Sequence, residues 1–283
     1  MFIARVLLLM GAATAASAQT SPVYEPIWAT GQSIFRLHDG KPETVYRHPS
    51  VVTAVGAGAG GRIAFLADKA IWLLDRGATK PVKVGRAPRL TCGGRPVTTV
   101  GLEFDGMGVA VLGQYCEESP SSDASVALPA ALATAPPAPG ASLELDTARV
   151  SGTPGTGVIS TTPVKIECGT FPRIAVARGG AVVLLVDVSG LVGCEDGENG
   201  CGIEFGGLAW LAGGHLVAAV GGGCGPGGTD YSVLPAGQAK VMSCTDSSFS
   251  MAPDAKAAIC GEVFLGPHGD VVPIGANAIW SER

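Results

Sequence analysis

Short runs of strand-forming residues, closed off by Gly, Asp and Pro, recur along the chain, and no stretch carries a long helical pattern. Arg62–Leu66, Ala70–Leu74, Gly108–Leu112, Ala181–Val186 and His215–Val220 each hold five or six such residues between turn formers. Runs of that length, bounded that way, read as strands. The fold class expected is all-β.

The strands share a grammar. Ile34-Phe35-Arg36-Leu37-His38-Asp39-Gly40 and Ile71-Trp72-Leu73-Leu74-Asp75-Arg76-Gly77 both read I-[FW]-x-L-x-x-G, 37 residues apart, and each leads to a Lys-Pro step (Lys41-Pro42, Lys80-Pro81) and a second short strand. A turn followed by an apolar strand falls near Gly61, Gly106, Gly180, Gly214 and Asp254, at intervals of 45, 74, 34 and 40 residues. Periods of this size mark solenoids and propellers. Five internal blades follow, with a sixth assembled from Ile34–Leu37, Thr44–Tyr46 and the C-terminal Asn277–Trp280. Closing a β-propeller from both termini removes exposed sheet edges. Six blades are expected, with five or seven blades and a two-sheet sandwich as alternatives.

The 74-residue interval contains residues 119–140, SPSSDASVALPAALATAPPAPG, a low-charge composition typical of linkers. The reading is a flexible insertion within one blade of a 19–283 domain. An interdomain linker between a 19–118 half and a 141–283 half is the alternative.

The segment Gly61–Asp75, GRIAFLADKAIWLLD, resembles a TolB-like β-propeller repeat, whose form is a D-G-x-x-I-A-F strand followed by an I-W/Y-x-x-D strand. Gly60 stands where that family has its aspartate. The resemblance implies a propeller and a general binding role, and no chemistry.

Export is read from residues 1–18. A basic start at Arg5, the apolar run Val6–Met10 and the small-residue end Ala16-Ser17-Ala18 fit a secretory signal cleaved after Ala18. The apolar stretch is shorter than the roughly 20 residues of a membrane span. Cleavage leaves 265 of 283 residues and takes the formal charge from -5 to -6. A mildly acidic chain without a basic block is not expected to bind nucleic acid or an anionic membrane. Neither asparagine, Asn199 or Asn277, begins a glycosylation sequon. With the Ala/Gly/Pro bias, this composition suggests a periplasmic or secreted bacterial protein, expected as a monomer.

Behind a signal peptide, the even set Cys92, Cys116, Cys168, Cys194, Cys201, Cys224, Cys244 and Cys260 reads as disulfides. No C-x-x-C pair or zinc-finger spacing is present. Near-neighbour pairing gives Cys194–Cys201, Cys244–Cys260 and Cys92–Cys116, leaving Cys168 for Cys224.

Motifs for specific chemistry are sparse. Gly56-Ala57-Gly58-Ala59-Gly60-Gly61 satisfies G-x-G-x-x-G, but a strand follows where a nucleotide site needs a helix N-terminus, so the glycines read as a blade turn. Gly221–Gly228 lacks the Lys-Ser/Thr of a phosphate loop. No G-x-S-x-G elbow or H-E-x-x-H occurs, and only His38, His48, His215 and His268 are available as bases. Glu195, Asp196 and Glu198, between Cys194 and Cys201, are the one local oxygen cluster suited to calcium, with a solvated hairpin tip as the alternative. Trp28, Trp72, Trp210 and Trp280 read as packing between blades. The function expected is a non-catalytic binding or scaffold propeller engaging a protein or small ligand. A propeller hydrolase or lyase acting on a glycan or lactone is the alternative, distinguished by carboxylates and histidines converging on a central channel.

Overall fold

The computed structural model describes residues 22–106, 108–113, 124–133, 137–144, 159–166, 169–178, 181–187, 203–222, 229–238 and 240–283. They form antiparallel sheets, with short 3-10 turns and no α-helix among the described residues. The first sheet holds β1 (Tyr24–Thr30), β2 (Ser33–His38) and β3 (Lys41–Arg47), and the second β4 (Val52–Ala57), β5 (Ile63–Ala67), β6 (Ala70–Leu74) and β7 (Val82–Arg86). A small hairpin of β8 (Thr91–Cys92) and β9 (Arg95–Pro96) precedes the third sheet, β10 (Thr99–Phe104), β11 (Gly108–Gly113) and β12 (Ala124–Ala127). The fourth sheet contains β13 (Ile159–Ile166), β14 (Gly169–Arg178) and β15 (Ala181–Asp187), and the fifth β16 (Ile203–Trp210), β17 (Leu216–Gly222), β18 (Thr229–Leu234) and β19 (Met242–Thr245). The sixth holds β20 (Phe249–Met251), β21 (Ala258–Cys260), β22 (Val263–Leu265) and β23 (Val271–Pro273), after which β24 (Ile279–Glu282) returns to the first sheet.

That return puts the C-terminal run in the sheet of Ile34–Leu37, as expected, with β1 as an additional strand between them. β24 pairs with β1, not with β2, in the order β24-β1-β2-β3. Pro26 does not interrupt β1, and Ile27 and Trp28 are buried on its opposite faces.

Alternation decides which sheets stack. In β5 all five residues are buried, because both faces are covered. Ile63 and Phe65 pack toward the first sheet with Ile27 and Ile34, whereas Leu66 packs toward the third with Leu102, Phe104, Val109 and Val111. Trp28 and Leu37, on the other side of the first sheet, meet Ile259 and Phe264 of the sixth. Ala258 and Leu265 point oppositely, toward Val217 and Val233 of the fifth. The described side chains thus trace a stack of third, second, first, sixth and fifth sheets, and do not trace a closed ring.

The repeat grammar has a structural counterpart. Ile34–Leu37 and Ile71–Leu74 occupy the third strand of their sheets, and their aromatics sit opposite an aromatic on the preceding strand. Trp28 stacks on Phe35 with ring centroids 5.7 Å apart, and Phe65 stacks on Trp72 at 6.4 Å. The Lys-Pro step then leads into the exposed outer strand of each sheet, where charge and proline suit a free edge. Part of the segment expected as a flexible insertion is ordered: Ala124–Ala127 pair with β11, and Leu128 is buried against the third sheet. The small residues there fit a sheet edge despite their linker-like composition.

Candidate functional site

Several expected site residues lie outside the described residues: Glu195, Asp196, Glu198, and Cys116, Cys168, Cys194, Cys201 and Cys224. So do residues 1–18. Cys244 and Cys260 form a disulfide with Cα atoms 5.5 Å apart, tying β19 of the fifth sheet to β21 of the sixth. Cys92 is also disulfide-bonded, to a partner outside the described residues. Among the described residues no three His, Cys, Asp or Glu side chains gather to hold a metal ion, and no helix is long and apolar enough to cross a membrane.

The glycines of the G-x-G-x-x-G run serve packing. A Cβ on Gly56 would stand 2.5 Å from the Leu102 carbonyl oxygen, and one on Gly58 3.2 Å from the Phe104 ring, so both glycines let β4 and β10 approach. Gly60 and Gly61 adopt φ of +70° and +74° in the turn into β5, which glycine tolerates without strain. The Gly60 N–H already donates to Glu282 Oε2 at 2.8 Å. Ala212-Gly213-Gly214 rebuilds this turn before β17: Leu211 N–H donates to the His215 carbonyl as Gly58 N–H does to that of Arg62. The motif is a turn between strands that recurs in two sheets.

The histidines are dispersed. His215 is fully buried; its Nδ1 accepts from the Ala236 N–H at 3.0 Å, so Nε2 carries the proton and donates to the Gly266 carbonyl at 3.0 Å. Burial holds its pKa below the ordinary value, against smaller upward pulls from the Gly266 hydrogen bond and Asp270. His48 is buried among Tyr46, Phe65 and Trp72, and its Nδ1 accepts from the Ser50 N–H. His268 lines a cleft of about 490 Å³ between the first and sixth sheets, beside Asp254, Asp270 and Arg283. Tyr24 borders the same cleft, its phenol pushed up by burial, then by Glu282 and Asp254.

His38 belongs to a polar knot. Its Nδ1 lies 3.0 Å from Glu25 Oε1, while Arg36 and Arg283 reach the same carboxylate at 3.4 and 3.6 Å. Ser281 is the cross-strand partner of Glu25 on β24, so the order Ser281, Glu25, His38 puts the carboxylate in the middle. Strands about 4.8 Å apart leave the hydroxyl and the imidazole roughly 10 Å apart. A serine-histidine relay needs them within about 3 Å. The knot is an ion-pair cluster without relay geometry.

The remaining site is apolar. A cavity of about 560 Å³ opens where β1, β4, β10 and the turn before β24 converge. Val52, Ala54, Val55 and Leu102 wall it, Val100 stands half-exposed at its edge, and Thr53, Ser247 and Asn277 supply its polar side chains. None of its lining residues is ionisable. No short window of sequence marks this site, because its lining comes from strands far apart in the chain and Gly101 and Glu103 mask the apolar pattern of β10.

No family model matches the chain, and no curated protein matches it. Among solved structures, a Bacteroides caccae protein of unknown function is similar at 13% identity over 93% of this chain and 99% of that one, with a TM-score of 0.29. A Lactobacillus plantarum protein is similar at 10% identity over 90% of this chain and 82% of that one, with a TM-score of 0.24.

Proposed function

We propose that this chain is an exported, non-catalytic β-propeller of the bacterial cell envelope that binds a ligand or partner through the cavity between its inner strands. Six sheets of three or four strands among the described residues, and successive sheets packed face to face, support a six-bladed propeller closed by β24. The signal-like residues 1–18 and the Cys244–Cys260 disulfide support export into an oxidising compartment.

The observation that carries the binding reading is the cavity lining: side chains from several sheets converge there, and none can take or give a proton near neutral pH. Acid-base hydrolysis of a glycan or lactone needs positioned titratable groups. Apolar walls with a few neutral polar groups are what ligand sites commonly present.

The test is native mass spectrometry of protein recovered from a bacterial periplasm after expression of the full chain. The expected result is a polypeptide beginning at Gln19 that carries a bound molecule, released on denaturation. A chain retaining residues 1–18, or turnover of glycan or lactone substrates by the purified protein, overturns the reading.

A further inference from the structure

The cavity has a neighbour. A second cavity of about 610 Å³ is lined by Leu143, Tyr231, Phe249 and Trp280, and the two share Ser247, Ala278 and Ile279 as common wall. The two adjoining cavities, together called the trough, are aliphatic at the β4–β10 end and aromatic at the other. At the aromatic end Tyr231 stacks on Phe249 with centroids 4.4 Å apart, and the Trp280 indole N–H donates to Ser250 Oγ. No lining residue of either cavity is charged.

Resting on the reading of this cavity as a binding site, we propose that the trough takes an uncharged, elongated, mostly apolar small molecule, with its aromatic or planar part over the Tyr231–Phe249 stack. Charge decides the class: an ionised ligand would leave water for walls that offer no counter-charge, which is costly. Size points to a small molecule, since each cavity falls within the ~300–1,000 Å³ of small-molecule sites. The neutral side chains of Asn277 and Ser247 provide hydrogen bonds for one polar group on the ligand.

The test compares two probes on the purified mature chain, N-phenyl-1-naphthylamine, which is neutral, and 8-anilinonaphthalene-1-sulfonate, which adds a sulfonate to the same rings. Saturable fluorescence enhancement by the neutral probe is expected, with the sulfonate binding at least tenfold more weakly. Val100→Glu, at the half-exposed edge, and Ser247→Asp, at an exposed position on the shared wall, should each weaken the neutral probe at least tenfold while circular dichroism and melting temperature are retained. Two variants keep the test decisive should one fail to fold.

Equal binding of both probes, or neutral-probe binding untouched by the folded variants, overturns the proposal. Dimerisation that Val100→Glu abolishes while probe binding persists assigns the trough to a second copy, and also overturns it. Failure of the probe with export intact and no turnover removes only this ligand class; turnover of a glycan or lactone removes the binding reading itself.

Discussion

Glu25 and His38 meet at 3.0 Å between β1 and β2, and the corresponding place in the next sheet is held by Arg62 and Asp75, a pair with the same separation of 13 residues. The repeat keeps a polar clasp at this strand end and changes its chemistry. Arg62 also donates to the Leu132 carbonyl, fixing the segment after β12, whereas Glu25 gathers Arg36, His38 and Arg283. Replacing Glu25 with Ala leaves Arg36 and Arg283 without their shared carboxylate and His38 without its partner, around a buried position. The expected loss is about 3 kcal/mol, read from urea unfolding; a change below 1 kcal/mol would show that the clasp contributes little.

Gly275 lies directly against the Trp28 indole, and Gly56 against the Leu102 carbonyl, so neither has room for a Cβ. Gly56→Ala forces backbone apart between β4 and β10 and should cost about 2–3 kcal/mol, with Gly275→Ala similar because Trp28 is itself buried. Gly40→Ser is the control in open space, although its φ of +72° adds a small cost. Thermal melts of the three variants check the order.

His215 makes stability depend on pH. Its folded pKa lies below 6.5, so on acidification the unfolded chain binds the proton first. The contribution is complete above pH 6.5 and declines as pH falls through the folded value. A protonated Nδ1 faces the Ala236 N–H, donor against donor, and breaks the bond to the turn after β18, while the Nε2–H still donates to the Gly266 carbonyl; Asp270 is the acidic group that pulls the other way. Urea midpoints measured from pH 7.5 down to 4.5 should fall more steeply for the parent than for His215→Gln. Parallel profiles would remove His215 as the source.

Reduction of the Cys244–Cys260 bridge frees a loop whose ends are 16 residues apart. Loop entropy sets the expected destabilisation at about 3 kcal/mol. The paired Cys244→Ala, Cys260→Ala variant in urea isolates this bridge from the one at Cys92. Loss of stability in that variant should exceed the loss from Val82→Ala, at an exposed outer strand.

What could be read in advance follows from how local each determinant is. Ile34–Leu37 and Ile71–Leu74 announce their strands because one apolar pattern lies within a few residues and repeats. β1 was hidden behind Glu25 and Pro26, β10 behind Gly101 and Glu103, and β12 inside an Ala/Pro/Ser-rich stretch, since their burial comes from partners distant in the chain. The histidines showed the same division. His215 stands at the head of an apolar strand that is legible in the sequence, but its two backbone partners come from separate turns.

By itself the sequence determined the all-β class, the blade-sized period and the turn chemistry, because strand alternation and glycine turns act over a handful of residues. Tertiary structure alone decided that β24 joins the chain ends through β1, that the G-x-G-x-x-G glycines are spacers beneath Leu102 and Phe104, and that two cavities with uncharged linings lie side by side. Each of those depends on which sheets face one another, and close packing between distant segments is not encoded in any short window of residues.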